Sequence, residues 1–321
     1  MTRLTAILLG LIALAVPLSL LAGRVWIDPA NTPNAAVILM ELRLPRAVLA
    51  LVIGSGLGAA GAAMQGYLRN PLADPGLFGI APGAALGAVL ALFLASRGAG
   101  IDTAHVLPIF ALAGGAGAMA LLVLIAGRSG GIALFTLAGL MVASLAGALT
   151  SLVISMAPNA FAMGEIVSWL MGALTDRGWS DVWLAAPLTM VGIVLLRLAG
   201  PSLDAMMLGE AAGRSLGVRP ALVQALLVLG TGLTVGSGVA VAGIIGFVGL
   251  MVPHLVRPFT DRRPSRLIAP SALAGGLMLL LADMVVRVLP LVTELRLGIA
   301  LSLLGAPFFL ALLLRMRRGL A

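Results

Sequence analysis

The 321-residue chain contains no cysteine, and all 20 of its basic residues are arginine. Without cysteine there are no disulfides, thiolate metal sites or iron–sulfur clusters. Without lysine there is no phosphate loop of the G-x-x-x-x-G-K-S/T type, no Schiff-base lysine and no kinase-type catalytic lysine. Histidine occurs twice, at His105 and His254, far apart in sequence. Charged residues make up 10% of the chain, against roughly 25% in soluble globular domains. A soluble enzyme is excluded on these grounds, and chemistry by the chain's own side chains has little to work with.

What is present is apolar. Hydrophobic residues reach 61%, and mean hydropathy is +1.14. A membrane-crossing helix needs about 20 such residues. Apolar runs fall at 4–22, 47–66, 76–96, 106–126, 132–156, 182–199, 221–240, 243–257, 267–289 and 298–314. They do not alternate apolar with polar, so a β-barrel is disfavoured. The expectation is an all-α polytopic membrane protein of about ten transmembrane helices. The eighth run is too short to cross straight; Pro253 lies in it and Gly236, Gly238 and Gly243 precede or open it. A broken element is expected there, with its backbone held by protein or a watery cavity. The stretch 161–174 is also too short to span, and is expected to lie at the outer interface or to pack there.

The net charge of +8 has an ordinary reading in this setting, with no nucleic acid as partner. Ten spans put both termini on one side. With the N-terminus inside, the inner segments hold Arg3, Arg69, Arg128, Arg197, Arg214, Arg219, Arg257, Arg262, Arg263, Arg266, Arg315, Arg317 and Arg318, against Asp74, Asp204, Glu210 and Asp261. The outer segments are close to neutral. This is the positive-inside pattern. Residues 1–22 also fit a cleaved signal peptide with Arg3 as its basic region; cleavage would leave nine spans and the same inner C-terminus.

Glycines four apart, at Gly54 and Gly58, Gly83 and Gly87, and Gly232 and Gly236, predict close helix–helix packing. Polar residues in or near the spans are few: Gln65, Asn70, Asp283, Arg287 and Glu294. Such residues are functional candidates in a membrane. Asp283 and Arg287 are four apart, so a local ion pair is the plain reading, with an external docking role for Arg287 as the other. The inner segment 200–220 is bracketed by Pro201 and Pro220, with Ser202 and Asp204 as candidate N-caps. Gly209 and Gly217 are expected to divide it into two short helices. Their apolar faces, including Leu203, Met206, Met207, Leu208, Leu216 and Val218, would meet water without a protein partner or a bilayer surface.

Four stretches together resemble the FecCD family, the type II ABC importer permeases of iron-siderophore, haem and cobalamin uptake. They are Leu42-Arg-Leu-Pro-Arg46; Gly61 through Gln65 to Asn70-Pro-Leu-Ala-Asp-Pro75 and Gly79; Leu208 to Val218; and Gly246 through Pro253, His254, Arg257, Asp283, Arg287 and Glu294 to Gly305-Ala-Pro-Phe-Phe309. The order and spacing match from about residue 40 to 315. One departure is Glu294-Leu-Arg296, where the family often has proline at the third position.

The resemblance implies a single permease domain over 1–321, with a cytoplasmic coupling loop at about 200–220. It implies a dimer, homomeric or closely heteromeric, with the pathway at the subunit interface. Two ATP-binding cassette ATPase subunits would bind inside and a substrate-binding protein outside. Hydrolysis would occur on the ATPases, so this chain would be non-catalytic, with no cofactor or metal of its own; ATP and magnesium would sit on the partner. Arg43, Arg46 and Arg287 would meet carboxylates of the binding protein as exposed pairs, each worth under about 1 kcal/mol. Leu208, Gly209, Glu210, Ala212, Leu216 and Gly217 would contact the ATPase. Gln65, Asn70, Pro71 and Leu72 would line the path or its inner gate. The chain would reside in the inner membrane with both termini cytoplasmic, carrying an iron chelate or cobalamin. An ion- or proton-coupled secondary transporter would need ionisable residues at mid-membrane, and an intramembrane metalloenzyme a His/acid cluster; neither pattern is present.

Overall fold

The computed structural model describes residues 3–98, 102–127 and 131–318. Twelve helices account for most of them: α1 Arg3–Leu21, α2 Ala35–Leu68, α3 Ile80–Ser96, α4 Thr103–Ala126, α5 Ile132–Ser155, α6 Ala160–Leu170, α7 Trp179–Met206, α8 Glu210–Ser215, α9 Pro220–Ala242, α10 Val248–Val256, α11 Pro264–Val288 and α12 Leu297–Arg318. No strand occurs among the described residues. Eight of the helices are long and apolar enough to cross a membrane. With the 17-residue α3 and the short, buried α10, the arrangement is an all-α polytopic fold of about ten membrane segments. Arg128 of the expected inner set lies outside the described residues.

Helix α2 is the axis of the bundle. It is rich in alanine and glycine, so neighbouring backbones come close on several sides. A methyl group at Gly54 would strike the carbonyl of Gly275, and one at Gly58 the carbonyl of Ser271, both on α11. At Gly61 it would strike Gly249 of α10. Gly83 and Gly87 of α3 meet α4 in the same way. The third expected pair differs: Gly232 makes room for the Met119 side chain, and Gly236 has open space. Spacing alone does not say whether a small residue faces a helix or a gap.

Helix α2 also starts earlier than the apolar pattern suggests. Its first turns include a π-helical stretch, Ile38–Arg43, ahead of Pro45. Its 34 residues extend about 50 Å, against a hydrocarbon layer of about 30 Å. Arg43 and Arg46 ride on the excess. The eighth segment is broken as expected. Residues 243–247 are irregular, and α10 has nine residues. Its surroundings satisfy the exposed backbone: Ala173 N–H donates to the carbonyl of Ala242 at 2.8 Å, and Gln65 Nε2 donates to the carbonyl of Leu250 at 3.2 Å.

The segment 200–220 is built differently from the expectation. Helix α7 runs straight through Pro201 to Met206, so Ser202 and Asp204 are not N-caps. One short helix, α8, follows instead of two. Gly209 (φ +108°) and Gly217 (φ +86°) supply the backbone conformations that end α7 and α8 and that a side chain would resist. Asp204 serves another helix: its carboxylate accepts from Ser265 N–H at 2.9 Å and from the Ser265 hydroxyl, fixing the start of α11.

Candidate functional site

Two places on the molecule gather the candidate residues, at opposite ends of α2 and α7. At the first end, Trp179 of α7 donates to the carbonyl of Met40 on α2 at 3.0 Å. Here Asp283 is fully buried and holds two arginines. Arg46 Nε donates to Asp283 Oδ1 at 2.9 Å, and Arg287 Nε lies 2.9 Å from Asp283 Oδ2. Arg46 also pairs with Glu294. Arg287 reaches on to the end of α1, donating to the Ser19 carbonyl at 3.0 Å, the Ala22 carbonyl at 3.2 Å and the Ser19 hydroxyl at 2.6 Å. Arg43 donates to the same Ala22 carbonyl. Cations at a helix C-terminus complement its dipole and its orphan carbonyls.

The expectation of exposed arginines is therefore corrected for two of the three. The side chains of Arg46 and Arg287 are only 11% and 6% exposed, because acids of this chain already hold them. Arg43 is half-buried. Even so, all three line an open cavity of about 650 Å³, together with Arg24, Arg177 and Glu294. At Glu294, burial favours the neutral carboxyl. The hydrogen bond from Arg46 and the charges of Arg46, Arg287 and Arg24 outweigh it, so its pKa lies below the ordinary 4.5. Arg296, where the family often has proline, donates to the hydroxyl of Ser168 and ties this loop to α6.

At the second end, the segment 207–217 presents Leu208 at 71% exposure and Leu216 at 63%, beside exposed Met207. Gly217 is also exposed, whereas Gly209, Glu210 and Ala212 are half-buried. Glu210 faces its own chain: Oε1 accepts from Ile132 N–H at 3.2 Å, at the start of α5. Its Oε2 lies 4.0 Å from Arg214. Gly213 packs on Met206, which seats α8 on the end of α7.

Gln65 and Asn70 sit near this end, the first buried and the second exposed. Gln65 is buried; it donates to α10 and accepts from Arg257 Nη2 at 2.7 Å. Asn70 folds its own turn, with its side-chain oxygen accepting from Leu72 N–H at 3.0 Å. Pro71 and Leu72 are half-buried. Burial raises the pKa of nearby Asp74, against the hydrogen bond from Gly76 N–H. The links Arg46–Asp283, Arg257–Gln65 and Asp204–Ser265 each join residues far apart in sequence, and no local pattern announces them. Among the described residues, no group of three or more His, Cys, Asp or Glu side chains could hold a metal.

Known proteins share the sequence and the overall fold of this chain. The FecCD transport family model matches residues 9–315. The ABC transporter permease protein YvrB of Bacillus subtilis is 38% identical over 293 residues, covering 90% of this chain and 82% of that one. The vitamin B12 import system permease protein BtuC of Salmonella typhi is 37% identical over 312 residues, covering 96% and 94%. A solved structure described as an inward-facing metal-chelate type ABC transporter superposes with a TM-score of 0.88 at 30% identity, over 97% of this chain and 99% of that one. With a family match along nearly its whole length, relatives 37–38% identical over most of the chain and one solved transporter that superposes along 97% of it, the chain belongs to the FecCD transport family of ABC importer permeases.

Proposed function

We propose that the chain is one half of a dimeric permease that imports a large metal chelate, an iron chelate or cobalamin, by ATP-driven alternating access. The observation that carries this reading is the exposed apolar surface of Met207, Leu208 and Leu216 at the tip of α7. Exposed apolar surface of this kind fits a protein partner, and two ATPase subunits of the importer are that partner. Hydrolysis belongs to them, since this chain lacks a nucleotide loop.

Arg43, Arg46 and Arg287 receive carboxylates of the substrate-binding protein through the outward cavity that they line. For Arg46 and Arg287, docking is an exchange of partners, from Asp283 and Glu294 to the incoming acids. Such contacts set register and encounter rate. Gln65, Asn70, Pro71 and Leu72 form the inner gate region. The outer cavity faces the binding protein's compartment, and the arginine-rich end with both termini faces the cytoplasm across the inner membrane. The relatives named for vitamin B12 and metal-chelate transport support a chelate as cargo.

The test is reconstitution in vesicles with the ATPase and the binding protein. Uptake of a metal chelate requires both partners. Replacing Leu208 and Leu216 by Asp abolishes ATPase association and uptake. Uptake by the permease alone, or unimpaired ATPase association in that variant, overturns the reading.

A further inference from the structure

Beside the tip of α7 is a small pocket whose charge is not accounted for by the transport reading. Arg69 follows the last residue of α2, Arg257 follows α10, and Arg262 lies in the loop before α11. All three line one pocket of about 170 Å³, with Gln65, Met207 and Pro264. Among the described residues, no carboxylate lies within ion-pair distance of any of them. The acids closest in sequence are engaged elsewhere: Asp261 lies 3.8 Å from Arg263, and Asp74 accepts from Gly76 N–H at 2.7 Å; Asp204, on the helix that ends beside the pocket, accepts from Ser265 N–H at 2.9 Å.

The pocket is thus short of negative charge. Arg257 gives Nη2 to Gln65 at 2.7 Å and lines the pocket beside Arg69 and Arg262 with no carboxylate partner among the described residues. Arg257 and Arg262 share the pocket as like charges, and an anion between them would offset their repulsion. Pro264 opens the 25-residue α11, so the positive end of that helix also borders the pocket.

The position selects the ligand. The pocket joins the last turn of one membrane helix, α2, to the first turn of another, α11. It therefore lies at the edge of the hydrocarbon layer, at the depth of phospholipid headgroups. Guanidinium forks match tetrahedral phosphate oxygens. Water takes about 30 Å³ per molecule in the liquid, so the pocket has room for one such oxyanion. We propose that Arg69, Arg257 and Arg262 bind a phosphate oxyanion, supplied by a lipid headgroup or by free phosphate.

This site is independent of the identity of the cargo. The experiment follows thermal unfolding of the full chain purified in an uncharged maltoside detergent. One arm adds inorganic phosphate against chloride at constant ionic strength. The other adds short-chain phosphatidylglycerol against a diacylglycerol of the same chain length. Arg69 and Arg262 are exposed, and neither makes a side-chain hydrogen bond among the described residues, so Arg69→Gln/Arg262→Gln keeps the fold; Arg257→Gln is the second variant. The unfolding midpoint of the unaltered chain rises by several degrees in at least one arm, and both variants lose the rise. A rise with lipid alone assigns the headgroup; a rise with inorganic phosphate as well assigns the free ion. No rise in either arm, or an equal rise in the double variant, overturns the proposal. Weakened ATPase association in the double variant, with no phosphate effect on the unaltered chain, overturns it too and gives the pocket to a protein carboxylate.

Discussion

Asp283 is the residue on which the arginine cluster depends. It has no exposure and faces two guanidinium groups. Removing one partner of a buried ion pair costs about 3–5 kcal/mol, because the charge left behind is uncompensated. Asp283→Ala therefore lowers the unfolding midpoint far more than loss of the half-exposed Arg43, as differential scanning of the detergent-solubilised chain would show. Glu294 gives the cluster a pH dependence. Its folded pKa is depressed, so its stabilising contribution is in place above the ordinary value of 4.5 and is lost as pH falls through the lower folded value. Glu294→Gln removes that part of the acid sensitivity; an unchanged acid limb in this variant would exclude the Arg46 contact as its source. The Asp283–Arg287 pair was legible from a spacing of four. Arg46–Asp283 was not, because 237 positions separate the two and only the packing of α2 on α11 brings them together.

At the scale of helices, glycine spacing marked two of the three close contacts. Gly54→Ala places a methyl against the backbone of α11, which cannot move like a side chain end. Overpacking of this kind costs about 1–3 kcal/mol. Gly236→Ala meets nothing within 4 Å and serves as the control, gaining slightly from helix propensity. Thermal unfolding of the two single variants checks the contrast; equal midpoints would refute the packing argument. The misread element is the end of α7. Pro201 looked like a boundary because proline removes an N–H and crowds the preceding turn. Here the helix continues, its turns packed on α9 and α11, with Arg197 donating to the Ser265 carbonyl at 2.7 Å beside the proline. Only tertiary contacts carry that information.

For the molecule as a whole, about ten membrane segments were legible because hydrocarbon imposes its own length on each run. The placement of arginine assigns an inner and an outer end to the bundle, and that assignment is a proposal. What composition could not supply is which arginines are already engaged within the chain, since that is decided by contacts across the bundle. The cysteine-free sequence allows a direct check of orientation. A single Leu208→Cys variant in intact cells reacts with a membrane-permeant maleimide and resists an impermeant one. Labelling by the impermeant reagent would reverse the proposed sidedness.

Trp179 anchors one end of α7 to Met40, and Met206 closes the other beneath α8. The rod between them has 28 residues and a length of about 42 Å. Pivoting such a lever about its midpoint by ten degrees would sweep either tip through almost 4 Å, roughly the breadth of a methyl group. Small torques applied at one face would thereby arrive at the far face as displacements large enough to unseat a side chain.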